Sequence, residues 1–130
     1  MISLDKTLLG QDYSGDAIER HKEYARRIGW LDVIIFSKKD TKKGSTSILI
    51  KTAPLRIYST NSKSKLFYII DAYRIGSNLD TNNSIKQRQH QKLSPNLIVA
   101  QDPFLTGLTG WLLKRKFKIP LLVHFHGDFW

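Results

Sequence analysis

The stretch Leu97-Ile-Val-Ala-Gln-Asp-Pro-Phe-Leu-Thr-Gly-Leu-Thr-Gly-Trp-Leu-Leu-Lys-Arg-Lys-Phe-Lys-Ile-Pro-Leu-Leu-Val-His-Phe125 decides the fold. It opens on Leu97–Ala100, a short apolar run entered from Pro95 and too brief for a helix, so it reads as a buried strand. Asp102-Pro103 places a helix cap beside a first-turn proline, which predicts a helix start. Phe104, Leu105, Leu108 and Leu112 recur at helical spacing and predict the buried stripe, while Gly107 and Gly110 allow close approach to a sheet. Lys114, Arg115 and Lys116 fall in the last turn, where they complement the helix dipole. Pro120 stops the helix, and Leu121–Phe125 reads as a second buried strand.

Working back toward the amino terminus, the same alternation recurs. Ile2-Ser-Leu4 is the tail of a first strand, and Gly10–Gly15 is a turn. Ala17, His21, Tyr24, Ala25 and Ile28 mark a helix over 16–28, opened by Asp16 with Glu19 and stopped by Gly29. His21 on that apolar face reads as a satisfied core histidine. Leu31–Phe36, Ser47–Lys51 and Leu55–Tyr58 are three more strands, and Thr60–Ser64 is a loop. Leu66, Ile69, Ile70 and Tyr73 predict a helix running to about Leu79. Residues 80–94 are polar and without period, a linker or a frayed extension of that helix.

Strands alternating with helices predict an α/β fold, a Rossmann-like parallel sheet with helices on both faces. The unbroken apolar runs Val33–Phe36 and Leu97–Ala100 favour parallel pairing, because such strands are buried on both sides. In this architecture ligands sit at the carboxyl ends of the strands. Four loops should therefore converge there: Gly10–Gly15, Thr60–Ser64, Gln101–Pro103 and His126–Asp128.

Composition narrows the chemistry. The chain has 130 residues, 21 Lys and Arg, 11 Asp and Glu, four His and no Cys. That length fits one domain, and 41% hydrophobic residues suffice for a core. Without Cys there is no disulfide framework, thiolate metal site or thiol nucleophile. No apolar run approaches the length of a spanning helix, and the first residues lack a secretory pattern, so a cytoplasmic location is expected. The formal charge of +10 suits nucleic acid, anionic lipid or phosphorylated ligands, with a dense cluster at Lys114, Arg115, Lys116 and Lys118. Interleaved surface aromatics and a recognition-helix pattern are missing, so nucleic acid is not the expected partner. His124 and His126 alternate onto one strand face, yet no third ligand of fitting spacing accompanies them, and no metal is expected.

Read singly, the loop residues carry modest signals. Gly10 and Gly15 bracket a loop before a helix N-terminus, where free N–H groups can hold a diphosphate, but two turn glycines do the same without a ligand. Asp102 is a helix cap that also stands at a strand's carboxyl end.

Several runs together resemble a known family. Gln101–Leu108, Leu112–Lys116, Ile119–Leu121 and His126-Gly-Asp-Phe129 resemble the amino-terminal half of bacterial group-one glycosyltransferases. Ser14–His21 and Thr60–Ser64 are similar to the same relatives. The resemblance implies a GT-B enzyme: two Rossmann-like domains, retention of configuration, no cofactor and no metal. It implies transfer of a sugar from a nucleotide-sugar donor to a glycan, lipid-linked or small acceptor. By position it assigns His126 to the transferred sugar, Gly10 and Gly15 to the donor diphosphate, and Asp102, Asp128 and Asn61 to the acceptor. A lipid-linked acceptor further implies an anionic membrane surface as a partner, met by the 114–118 cluster at the inner face of the membrane.

The departures are equally specific. The family's paired Glu, seven residues apart, is missing; the two Glu here are Glu19 and Glu23. The expectation is therefore a truncated domain spanning 1–130, without its C-terminal donor domain and inactive alone. The competing expectation is a non-enzymatic α/β module, receiver-like or nucleic-acid-binding. A receiver would need an acidic cluster at the strand ends, toward which Asp5, Asp102 and Asp128 are the available residues.

Overall fold

The structure is a computed structural model and describes residues 1–9, 16–39, 48–52, 54–86 and 95–125. The chain runs β1 (Ile2–Ser3), α1 (Asp16–Ile28), β2 (Leu31–Ile35), β3 (Ile48–Thr52), β4 (Leu55–Ser59), α2 (Tyr68–Lys86), β5 (Ile98–Ala100), α3 (Leu105–Phe117) and β6 (Leu121–Val123). Short 3-10 turns at Lys6–Leu9 and Lys65–Phe67 precede α1 and α2. The predicted α/β architecture is the one observed.

The six strands form one sheet in the order β3-β4-β2-β1-β5-β6. From β4 to β6 all pairs are parallel. The expectation of parallel pairing fails at β3, which runs antiparallel to β4 at the sheet edge. The cause is local: Thr52 and Leu55 are register partners joined by two residues, too few for the crossover that parallel neighbours require. Counted along the chain, the five parallel strands lie 3-2-1-4-5, the order of Rossmann halves rather than the 2-1-3-4-5 of receiver-type sheets.

Two apolar layers flank the sheet. Val33, Ile35, Leu55 and Ile57 face α1 and the Lys6–Leu9 turn, packing against Leu8, Ala17 and Ala25. Ile2, Ile34, Phe36, Tyr58 and Ile98 face α2 and α3, packing against Tyr68, Ala72 and Leu113. Successive β2 residues thus go to opposite layers and both are buried, as two-sided burial of a parallel strand requires.

Helix boundaries match the predicted ones more closely than helix faces do. In α1, Ala17 and Ala25 are buried as expected, but Tyr24 and Ile28 are exposed. His21 is half-buried rather than in the core, its Nδ1 2.7 Å from the Ala17 carbonyl oxygen. Over residues 68–79 of α2 the buried ones are Tyr68, Ala72 and Gly76, whereas Ile70, and Leu66 in the 3-10 turn before the helix, are exposed. That helix runs through Lys86, so 80–86 is a helical extension; adding a residue to a formed helix costs far less than nucleating one.

The largest correction concerns α3. Its buried face is Thr106, Gly107, Thr109, Gly110 and Leu113, while Phe104 and Leu108, expected inside, are exposed. The packing leaves room only for small groups. A Cβ on Gly110 would stand 2.7 Å from Leu121 Cδ1 and 3.6 Å from Ala100 Cβ, so the helix lies directly on β5 and β6. The inward hydroxyls bond carbonyls four residues back: Thr109 Oγ1 donates to the Leu105 carbonyl at 2.9 Å, and Thr106 Oγ1 to that of Asp102, in the turn before the helix, at 3.0 Å. Satisfied in this way, threonine can be buried without an unpaired polar group.

Candidate functional site

All five parallel strands end at one edge, and the chain reverses its direction of sheet growth between β1 and β5. The crevice outside those two carboxyl ends is where this topology accepts a ligand. Ile2 is level with Ala100 and Ser3 with Ile35, which is itself level with Ser59. A row Ser59–Ile35–Ser3–Gln101 therefore crosses four strands on the α1 side of the edge.

The row is held by hydrogen bonds on both flanks of Ile35. Ser3 Oγ donates to Gln101 Oε1 and accepts the Asp5 N–H at 2.9 Å. The Gln101 N–H in turn reaches the Ile2 carbonyl at 3.1 Å. On the other flank the Ser37 and Ser59 hydroxyls bond each other. Asn61 Oδ1 accepts from Ser59 Oγ at 2.9 Å and from Ser37 Oγ at 3.5 Å. The Asn61 N–H returns to Ser37 Oγ at 3.1 Å, and Thr60 Oγ1 accepts the Ser37 N–H at 3.0 Å. Ser3, Ser37, Ser59 and Thr60 are buried, so they shape the edge, while Asn61 and Gln101 are half-buried and Lys63 is exposed.

Two predicted site residues stand at this edge. Asn61 sits beyond β4 with a left-handed backbone (φ 46°), a conformation asparagine tolerates better than most residues. Asp102 sits beyond β5, with β2 and β1 between it and Asn61. Its carboxylate accepts the N–H groups of Phe104 at 2.8 Å and Thr106 at 3.4 Å, but the expected cap is displaced: the N-cap is Phe104, so Asp102 stands three residues ahead of the first helical residue and Pro103 lies in the turn before the helix. Gly10, Gly15, His126 and Asp128 lie outside the described residues.

Lys114, Arg115, Lys116 and Lys118 stand apart from this edge. Since α3 returns between parallel β5 and β6, its C-terminus is at the opposite, amino edge, where the Ile98 N–H meets the Pro120 carbonyl at 3.0 Å. All four are exposed, and Lys118 closes the helix in the left-handed region (φ 56°), its N–H on the Lys114 carbonyl at 2.8 Å.

Carboxylate chemistry from glutamate is absent from the edge. Glu19 pairs with Lys22 at 2.6 Å and Glu23 with Arg27 at 3.0 Å on the outer surface of α1. Hydrogen bonds from those cations hold both carboxyls below their usual range, the opposite of what a general acid needs. Among the described residues no group of three His, Asp or Glu could hold a metal ion.

What the residue-by-residue reading missed is the serine row. Its signal was available: Ile2-Ser3, Phe36-Ser37 and Tyr58-Ser59 each end an apolar run on a hydroxyl. Compared with known families, curated proteins and solved structures, the chain matches none.

Proposed function

We propose that the chain is the acceptor-side half of a retaining GT-B glycosyltransferase, serving transfer of a sugar from a nucleotide-sugar donor to a glycan, lipid-linked or small acceptor. The observation that carries this reading is the 3-2-1-4-5 order, which sets the switch-point crevice between β1 and β5. Of the two runs with the most specific resemblance, Asp102-Pro-Phe stands at that edge directly after β5, and His126-Gly-Asp-Phe comes after β6 in the sequence.

In such a transfer, negative charge grows on the departing diphosphate and positive charge on the sugar ring. Rate enhancement then comes from positioning and from donors fixed in place before the reaction. Gly10 and Gly15 would let backbone N–H groups approach the diphosphate ahead of α1. Asn61 and Asp128 would orient the acceptor, with Asp102 holding the start of α3 beside it. His126 would hold the transferred sugar in position without forming a bond to it. The acidic residues of the donor site would come from a second domain, since both Glu here are ion-paired on α1.

A receiver-like module would call for the other strand order and for free carboxylates at the edge. Here the order differs and Asp102 is engaged by Phe104 and Thr106.

The test is to incubate the chain, alone and joined to whatever its gene encodes after Trp130, with a panel of nucleotide sugars. Nucleotide release and anomeric configuration are followed by NMR. The expected result is no turnover by the 130 residues alone and retaining transfer by the longer protein, with His126→Ala lowering kcat while nucleotide affinity holds. Sustained turnover by the 130-residue chain would overturn the half-enzyme reading. Failure of the longer protein with every donor would overturn the transferase reading.

A further inference from the structure

A helix that covers a sheet needs one apolar face, and the opposite face is ordinarily polar. In α3 the inward face is taken by Thr106, Gly107, Thr109, Gly110 and Leu113. Phe104, at the residue before the helix, then Leu108 and Trp111 form a second apolar line at spacings of four and three residues. They are 75%, 45% and 44% exposed. Arg115, four residues further along the same line, stacks its guanidinium over Trp111 at 4.9 Å from the ring centroid. Lys114 and Lys118 flank that end, both exposed. The line extends along about 16 Å of helix, from the carboxyl edge of the sheet toward its amino edge.

We propose that this outer face of α3 docks on an anionic lipid surface, with Phe104, Leu108 and Trp111 entering the headgroup region and Arg115, Lys114 and Lys118 meeting lipid phosphates. Three features favour lipid as the occupant. The line is narrow and linear, as suits a helix lying in the plane of an interface. Aromatic rings sit beside cations whose long stems can reach toward phosphates. A second copy of this chain is a poor partner, because a formal charge of +10 would face an equal charge across the contact. No helix among the described residues is long and apolar enough to cross a membrane, so the contact is peripheral. The surface is read from α3 alone and stands independently of the transferase reading.

The experiment is co-sedimentation with vesicles of pure phosphatidylcholine and of phosphatidylcholine with phosphatidylglycerol, over a salt series. Two variants accompany the parent chain: Leu108→Gln with Trp111→Gln, and Lys114→Gln with Arg115→Gln and Lys118→Gln. All substituted side chains are exposed or flank the exposed line, and circular dichroism checks that each variant keeps the parent fold. Binding should require phosphatidylglycerol and weaken with salt. It should fall roughly a hundredfold in the triple charge variant, about fivefold per cation removed. The apolar variant should lose roughly tenfold, since its contribution is insertion rather than charge. Equal pelleting with neutral vesicles, no pelleting, or an unchanged apolar variant would each overturn the proposal. Binding to soluble poly-glutamate but not to vesicles would overturn it in favour of an acidic protein partner.

Discussion

Arg56 grips Asp32 across the β4–β2 pair with two nitrogens, Nε on Oδ1 at 2.7 Å and Nη2 on Oδ2 at 3.0 Å. The two residues are register partners, and their side chains are only 12% and 21% exposed. Trp30 completes the cluster, its Nε1 donating to Asp32 Oδ2 at 3.2 Å and its ring lying 4.6 Å beneath the guanidinium. Removing one partner strands a largely desolvated charge. Asp32→Ala should destabilise the fold by about 2 kcal/mol, below the full cost for a deeply buried pair because some water reaches this one. Arg56→Lys, which keeps the charge but loses the fork and the stacking, should cost about 1 kcal/mol. Urea unfolding midpoints check both, and a smaller loss for Asp32→Ala than for Arg56→Lys would contradict the two-nitrogen grip.

Tyr58, one residue before the serine row, gives the fold an alkaline limit. Burial pushes its phenol up to about 12, and the neighbouring Asp32 carboxylate adds to the rise. The proton is thus held more tightly in the native state than in the unfolded chain. The resulting stabilisation is complete below about pH 10 and disappears as pH rises through about 12. Tyrosinate absorbance should show a late-titrating component that vanishes in Tyr58→Phe, and that variant should unfold with a weaker pH dependence across the window.

The three glycines packed between helices and sheet should rank by what a methyl group would strike. At Gly107 the added Cβ would stand 2.8 Å from the Asp102 carbonyl oxygen, a backbone atom locked into the turn by Thr106. At Gly76 and Gly110 the nearest atoms are the ends of Leu113 and Leu121 side chains, both at 2.7 Å. A leucine methyl can rotate aside; a hydrogen-bonded carbonyl cannot. Gly107→Ala should therefore lose about 2 kcal/mol net of the helix-propensity gain. The other two should each lose about 1 kcal/mol or less by the same accounting. Thermal unfolding of the three single variants tests the order.

Asn61 supports the candidate site before it contacts anything. Asn61→Ala removes the acceptor shared by the Ser37 and Ser59 hydroxyls and places alanine in the left-handed region. A loss of about 2 kcal/mol is expected, half from strain and half from the one hydroxyl proton left without its acceptor. Asn61→Asp keeps an acceptor at Oδ1 and should recover most of it. If both variants are as stable as the parent, the hydroxyl network does not hold this edge.

The strands and helices were legible because each carries a local signal: a short apolar run, a cap, a glycine or proline stop. The 16–28 helix and the Leu31, Leu55 and Leu97 strands lie within a residue or two of where the periodicity put them. At the candidate site, Asn61 and Asp102 were legible as loop residues at strand ends. Their grouping with Ser3 and Ser59 was not, because these serines are far apart in sequence and only the parallel register brings Ser3 and Ser59 level with Ile35 and sets Ser37 beside Ser59.

What the sequence by itself determined was the alternation of elements, and with it an α/β sheet whose parallel strands share one carboxyl edge. Local capping and burial patterns suffice for that. Tertiary structure alone decided which way each helix faces and which strand lies beside which. Phe104 and Leu108 have the better apolar side chains, yet α3 turns Gly107 and Gly110 inward. The reason is distance: the space above β5 and β6 admits a helix only where side chains are small, and periodicity in one segment carries no measure of that space.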